Sequence, residues 1–169
     1  MPHPISALGA AHTIISLIPA VVGAYSFARY RGIDTATLAG KIYLGGLIAA
    51  VLTSFGLSSS GGFNAGHALG ILALISVFGA LLIMRMRAFS RSQVYLAQLG
   101  FSFSFFLMWV PGIAETLTRL PLAHPFADGP QAPLVRGALT AWLGLFLIGA
   151  IAQQFWLRSQ RRIRIEANR

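Results

Sequence analysis

Long stretches without a charged side chain are the feature that most restricts how this chain can fold. Residues 1–28 carry no formal charge, and residues 42–84 form a second such stretch of 43 residues. Two shorter stretches follow at residues 92–114 and 137–157. A helix of about 20 apolar residues crosses the hydrocarbon core of a bilayer. With only 10% charged residues and a mean hydropathy of +0.70, the chain is predicted to be an integral membrane protein.

The number of spans follows from turn-forming residues. The 43-residue stretch is too long for one crossing, and its middle reads SSSGGFN, from Ser58 to Asn64, so it divides into two helices. Four prolines within residues 118–133 predict a loop. The fold class is therefore an all-α integral membrane bundle of five transmembrane helices, because the long apolar runs lack the alternation of a β-barrel. The predicted spans of this single domain, residues 1–169, are residues 5–28, 42–58, 63–84, 92–117 and 137–157.

Basic residues divide unevenly between the two sides of such a bundle. Eleven of the 13 lysines and arginines fall beside the first and third connections or in a basic tail, residues 158–169, whereas Arg119 and Arg136 fall on the other side. The positive-inside rule places the crowded side in the cytoplasm. The N-terminus is then outside and the C-terminus cytoplasmic, as an odd number of spans requires. We predict a multi-pass protein of the cell inner membrane.

The net charge of +9 does not predict a nucleic-acid partner. The basic residues flank membrane spans, so a topology signal and contact with anionic lipid headgroups at the cytoplasmic face account for them. The basic tail is expected to continue the fifth helix for a few turns.

Small residues recur at helical spacing. On the third span, Gly62, Gly66 and Gly70 are four residues apart. Such spacing is typical of helices that approach closely in lipid, and a flat surface for a planar cofactor is the alternative. We predict that Gly66 and Gly70 contact another helix.

His12 and His67 are the histidines that fall inside predicted spans, whereas His3 and His124 are expected in water. Spans one and three run in the same direction, so both imidazoles can lie at similar depth near the outer surface. Ionisable side chains within a membrane are functional candidates. Ligation of haem b or of a metal ion by two histidines on facing helices needs this arrangement. The alternative is that each imidazole hydrogen-bonds a serine, a threonine or a backbone carbonyl.

Glu115 ends the fourth span near the depth expected for these histidines. Its carboxylate can pair with Arg119, four residues later, at the interface. Alternatively, it is a proton carrier or metal ligand beside His12 and His67.

Aromatic residues crowd the fourth and fifth spans. Lipid contact and packing explain Phe101, Phe103, Phe105, Phe106 and Trp109 without a cofactor. Trp142 and Trp156 are expected to anchor the fifth helix at the membrane interfaces.

Short motifs between His12 and about Leu120 carry a resemblance to a family. They are His12 followed by Gly23, Arg29-x-Arg31, Gly40-Lys41-Ile42-Tyr43, and the Ser-Gly-Gly-Phe turn before the third helix. On these residues, about two-thirds of the chain resembles uncharacterised family 2306 of predicted bacterial multi-span membrane proteins. The family's layout is similar to that of b-type membrane cytochromes, which implies haem by analogy.

The chain departs from this family at its cytoplasmic side. Members typically carry a His-Arg pair before the Gly-Arg-Ile-Tyr segment, and a histidine with a tryptophan at the start of the next-but-one helix. Here Ala36-Thr37 and Ser90-Arg91 stand at those places. The resemblance therefore implies an outer site alone, which disfavours electron transfer across the whole membrane.

Two functions follow from the sequence. The first is a small redox or electron-transfer protein with haem b or a metal ion on His12 and His67 and with Glu115 nearby. The second is a non-catalytic membrane subunit or assembly protein without a cofactor, which binds a membrane protein partner or a second copy of itself. A transporter is disfavoured, since no charge lies in mid-membrane and no repeat is evident. No phosphate loop, HExxH or Ser-His-Asp set identifies an enzyme.

Overall fold

A computed structural model describes residues 7–57, 62–86 and 92–167, apart from the side chains of residues 164 and 165. These ranges contain no strand and five helices, all long and apolar enough to cross a membrane. The predicted all-α bundle with five candidate spans is confirmed. Several residues discussed above lie outside the described ranges: His3, residues 58–61, Arg87, Ser90, Arg91 and Arg169. The helices are α1 (Ala7–Tyr30), α2 (Leu38–Ser54), α3 (Ala65–Arg85), α4 (Gln93–Arg119) and α5 (Pro133–Ala167), and a 3₁₀ turn, Phe55–Leu57, follows α2.

Consecutive helices pack side by side and run antiparallel, and α1 also contacts α4. A Cβ atom at Gly46 of α2 would lie 2.8 Å from Cδ of Pro19 in α1, so these two helices approach closely. The order of the helices places seven described basic side chains at one end of the bundle, which we call the arginine-rich end. They are Arg29, Arg31, Lys41, Arg85, Arg158, Arg161 and Arg162. The opposite end carries Glu115, Arg119 and Arg136.

The core lies where α2, α3 and α4 meet. Tyr43 of α2 is fully buried, and its hydroxyl lies 2.8 Å from the hydroxyl of Ser104 in α4. This bond satisfies both polar groups inside an apolar environment. The other buried members of the core include Leu47, Val51, Ala73, Val77, Ala80 and Phe101.

The second helix begins and ends four residues earlier than the charge-free stretches predicted, and the fifth helix is longer than predicted. Helix α2 begins at Leu38 instead of residue 42, because the Thr37 side chain caps it by accepting from the Gly40 N–H, 3.0 Å away. Helix α5 has 35 residues, about 52 Å of helix, and includes the basic tail as far as Ala167. The expected continuation of this helix is confirmed.

The glycine prediction is correct at Gly70 and wrong at Gly66. A Cβ atom at Gly70 would lie 3.2 Å from Cγ1 of Val51, so α3 approaches α2 closely there. A Cβ atom at Gly66 would meet only the Asn64 side chain among the described residues, because Gly66 lies in the first turn of α3. Helix α3 also approaches α4 closely at Gly100, where a Cβ atom would lie 3.0 Å from that of Ala80.

Candidate functional site

His12 of α1 is half-buried and bonds to α2 near the opposite end of the bundle. Its Nδ1 lies 2.9 Å from the hydroxyl oxygen of Thr53. That hydroxyl donates to the carbonyl of Ala49, 2.8 Å away, so it accepts from His12, whose Nδ1 carries the proton. In the neutral ring Nε2 then has a lone pair, for which the described part of the chain provides no hydrogen-bond donor. A histidine anchored through one nitrogen in this way can present the other to a ligand.

His67 lies in the first turn of α3 and uses both ring nitrogens within the protein. Its Nδ1 accepts from the backbone N–H of Asn64, 3.2 Å away, while the Asn64 side chain accepts from the His67 N–H. Nε2 then carries the proton and donates to the carbonyl of Ser54 at 3.0 Å. The ring of Phe55 stacks on the imidazole, with centroids 4.7 Å apart. His67 therefore joins the end of α2 to the start of α3, with no ring nitrogen left for a metal.

Glu115 forms an ion pair with Arg119, one turn later on α4. The two side chains are 58% and 67% exposed, respectively, so the pair lies at the surface as one of the two readings of the sequence predicts. A role of Glu115 as a proton carrier or metal ligand beside His12 and His67 stays a prediction.

The three predicted site residues reach the same end of the bundle without forming one ligand set. His12 and His67 bond to consecutive residues, Thr53 and Ser54. Among the residues that the structure describes, no group of three or more His, Asp or Glu side chains could hold a metal ion. Joint ligation by His12 and His67 stays a prediction, and it requires His67 to break at least one of its ring hydrogen bonds. His124 is exposed.

A groove of about 700 Å³ lies between α1, α4 and α5. Helix α4 forms its floor, because it packs against both α1 and α5. Ala24 on one rim and Leu145 and Gly149 on the other are exposed, so the groove opens sideways on the surface of the bundle. Ligand pockets in proteins have volumes of about 300–1,000 Å³.

Aromatic rings form much of the groove lining. All three tryptophans of the chain line it, together with Phe27, Phe105, Phe106 and Phe146. The Trp142 ring stacks on Phe106, with centroids 6.3 Å apart, and its Nε1 donates to the Phe106 carbonyl at 3.1 Å. Trp142 therefore packs against α4 inside the bundle instead of anchoring α5 at an interface.

The groove is polar where it meets the arginine-rich end. Gln153 of α5 is buried, and its Nε2 donates to the backbone carbonyl of Arg31, 2.8 Å away. The hydroxyl of Ser102 in α4 donates to Oε1 of the same glutamine, also at 2.8 Å. These bonds join α1, α4 and α5 at one level, so the groove has one polar end and apolar walls.

The turn after α1 is held in a strained conformation by two glutamines. Arg31 has a φ of 60°, in the left-handed region that favours glycine at the end of a helix. Gln153 donates a hydrogen bond to the carbonyl of Arg31, and Gln98 of α4 donates one to the carbonyl of Ile33 at 3.0 Å. A Cβ atom at Gly32 would collide with both glutamine amides. The two glutamines therefore hold the turn after α1 in place at the polar end of the groove.

Gln98, Ser102 and Gln153 were not recognisable as site residues from the sequence. The available signal was a set of uncharged polar side chains within apolar spans. Such side chains must find hydrogen-bond partners, because the hydrocarbon core provides none. The sequence did not indicate that these partners would be the backbone carbonyls of the turn after α1.

Comparison with protein-family models, curated proteins and solved structures gives no match. The resemblance to uncharacterised family 2306 therefore stays a prediction.

Proposed function

We propose that this protein binds a lipophilic molecule of the bilayer in the groove between α1, α4 and α5. The observation that carries the proposal is a sideways-open volume of about 700 Å³ with aromatic walls and a polar end. Rigid aromatic faces give a large apolar contact area to a chain that lies against them. By the positive-inside rule, the arginine-rich end faces the cytoplasm of a multi-pass inner-membrane protein.

The shape of the groove favours a lipid tail over a helix. From Trp142 to Trp156, both of which line the groove, α5 rises about 21 Å. This is about two-thirds of the hydrocarbon core. The bond from Gln153 to Arg31 joins α5 to the turn after α1 across the polar end of the groove. A second transmembrane helix would have to end there with unpaired backbone groups, whereas a lipid tail has none.

The three tryptophans make the proposal testable, because all of them line the groove. The purified protein is placed in lipid nanodiscs, and lipids with brominated chains are added while tryptophan emission is recorded. Bromine quenches emission on close approach, so quenching reports occupancy of the groove. Native mass spectrometry of the same protein in detergent counts the lipids retained.

Gly149→Leu fills the groove without a backbone clash. Gly149 lines the groove, and a Cβ atom there would meet no described atom within 4 Å. Gly144→Leu is the matched control, since Gly144 lies on the same helix with equal space and does not line the groove. We expect Gly149→Leu alone to reduce quenching and lipid retention. Equal retention in both variants would contradict the proposal.

The same mass spectra test the second function predicted from the sequence. A dimer that Gly149→Leu dissociates would mean that a helix of a second copy occupies the groove. That result would contradict lipid binding and support a non-catalytic membrane protein that binds a second copy of itself.

A redox or electron-transfer protein is the second candidate, favoured by the arrangement of His12. Its Nδ1–H is anchored on Thr53, and its Nε2 lone pair has no hydrogen-bond donor among the described residues. These features suit an axial ligand of haem b or a metal ligand. A visible absorption spectrum with metal analysis tests this candidate. A Soret band that His12→Ala removes and His124→Ala retains would support it, and a colourless, metal-free protein would exclude it.

A further inference from the structure

We infer that the groove selects a lipid with an anionic head group, which the guanidinium of Arg31 binds at the polar end. This inference rests on the proposed lipid binding. Arg31 lines the groove, and no carboxylate partner of Arg31 is found within the described ranges. The carboxylates of Glu115 and Glu166 pair with other arginines. A guanidinium at the edge of a bilayer is stabilised by an anion, and the ligand can supply it.

The backbone at Arg31 supports this role. Its φ of 60° is a conformation in which glycine is unstrained, yet the chain has an arginine there and its glycine one residue later. Strained residues persist where the surroundings hold them, and they concentrate at binding sites. Gln153 and Gln98 hold the carbonyls on either side of Gly32. The backbone from which the Arg31 side chain extends is therefore fixed by the fold.

The other polar side chains at the polar end of the groove hold the backbone at Arg31. They are not available to bind the anion, so Arg31 binds it. The amide of Gln153 is occupied on both sides, by the Arg31 carbonyl and by the Ser102 hydroxyl. Arg29, two residues earlier in the chain, does not line the groove, and its guanidinium lies over the Tyr30 ring, 5.6 Å from the centroid. A guanidinium binds phosphate or carboxylate oxygens through two parallel hydrogen bonds. The head group is therefore a phosphate or a carboxylate.

The test compares two brominated phospholipids that differ only in head-group charge. The full-length protein in nanodiscs of zwitterionic lipid is titrated with brominated phosphatidylglycerol and, separately, with brominated phosphatidylcholine. We expect the anionic lipid to quench tryptophan emission at about one-tenth of the concentration, as loss of a charge-assisted contact typically changes affinity by about tenfold or more.

Two variants of Arg31 and one of Arg29 separate a bound head group from general attraction to a basic surface. Arg31→Gly removes the guanidinium and suits the φ of 60°, so the turn stays folded. It should abolish the preference, and Arg31→Lys should retain part of it. Arg29→Gln removes the same charge from the same end of the bundle and should leave the preference unchanged.

The outcomes distinguish this inference from the proposal on which it rests. Equal binding of both lipids, or equal losses in Arg29→Gln and Arg31→Gly, would overturn the anionic head group. In that case, reduced quenching of both lipids in Gly149→Leu would still support lipid binding. In a further titration, inorganic phosphate is added as a competitor of the anionic lipid. If it displaces the anionic lipid, the site binds free phosphate and the inference is wrong; unchanged quenching supports a lipid head group.

Discussion

Gln153 of α5 donates a hydrogen bond from Nε2 to the backbone carbonyl of Arg31, 2.8 Å away. The two residues are 122 positions apart, and their bond joins the last helix to the end of the first. Helix α5 otherwise packs mainly against α4, whereas α1 packs mainly against α2 and makes a smaller contact with α4 on the other side of the groove. This bond therefore sets the width of the groove at its polar end.

Replacing Gln153 should destabilise the bundle. Gln153→Leu leaves the Arg31 carbonyl and the Ser102 hydroxyl without their partner, and an unsatisfied buried polar group costs about 1–3 kcal/mol. The free energy of unfolding in mixed micelles measures the loss. Gln154→Leu is the control, because Gln154 makes one longer bond, 3.2 Å, to the Tyr95 carbonyl within α4. A loss in Gln154→Leu as large as that in Gln153→Leu would contradict the assignment.

His67 should contribute more to stability than His12. His67→Ala removes two hydrogen bonds and the stacking of Phe55, which together contribute about 2–3 kcal/mol. His12→Ala removes one bond, to Thr53, and should cost about 1 kcal/mol. Thermal unfolding in detergent, followed by circular dichroism, ranks the two. His124→Ala, at an exposed loop position, should change stability by less than about 0.5 kcal/mol. Equal effects of His12→Ala and His67→Ala would contradict the capping role of His67.

The five spans were predictable from the sequence because lipid imposes a simple rule on it. A helix that crosses a bilayer must be apolar over its whole length, so the stretches without charge locate the helices. The ends were less predictable. The charge-free stretch predicted that α2 begins after Lys41. Because Thr37 caps the helix, α2 begins before Lys41, which lies in its first turn. Helix ends are set by local hydrogen bonds that hydropathy does not record.

The candidate site was less predictable, because it depends on how the helices face one another. The sequence indicated correctly that His12 and His67 lie towards one end, and the hydrogen bonds of His67 were one of the alternatives considered. It gave no indication of the groove, because α1 and α5 are separated by most of the chain. Trp142 is an example. Its position near a helix end predicted an anchor at the membrane interface, but the Trp142 ring packs against Phe106.

Close packing at Gly70 should tolerate no large side chain. A Cβ atom there would already lie 3.2 Å from Val51, so Gly70→Leu must displace α2 or α3, at a cost of about 1–3 kcal/mol. Gly79→Leu, on the same helix, is the control, since no described atom lies within 4 Å of a Cβ atom there. Unfolding of both variants in mixed micelles provides the comparison. If both substitutions proved equally harmless, close packing of α2 on α3 at Gly70 would be refuted.

The orientation of the bundle should follow its arginine-rich end. The chain has no cysteine, so Ala36→Cys and Ala123→Cys each introduce a single thiol, the first between α1 and α2 and the second between α4 and α5. Both positions are exposed and lie at opposite ends of the bundle. We expect a membrane-impermeant maleimide to label Ala123→Cys in intact cells and Ala36→Cys only after the membrane is opened, because the positive-inside rule retains basic segments in the cytoplasm. Labelling of both variants in detergent controls for thiol reactivity. The reverse pattern would place Arg31 in the outer leaflet, and the anionic lipid bound there would then have to come from that leaflet.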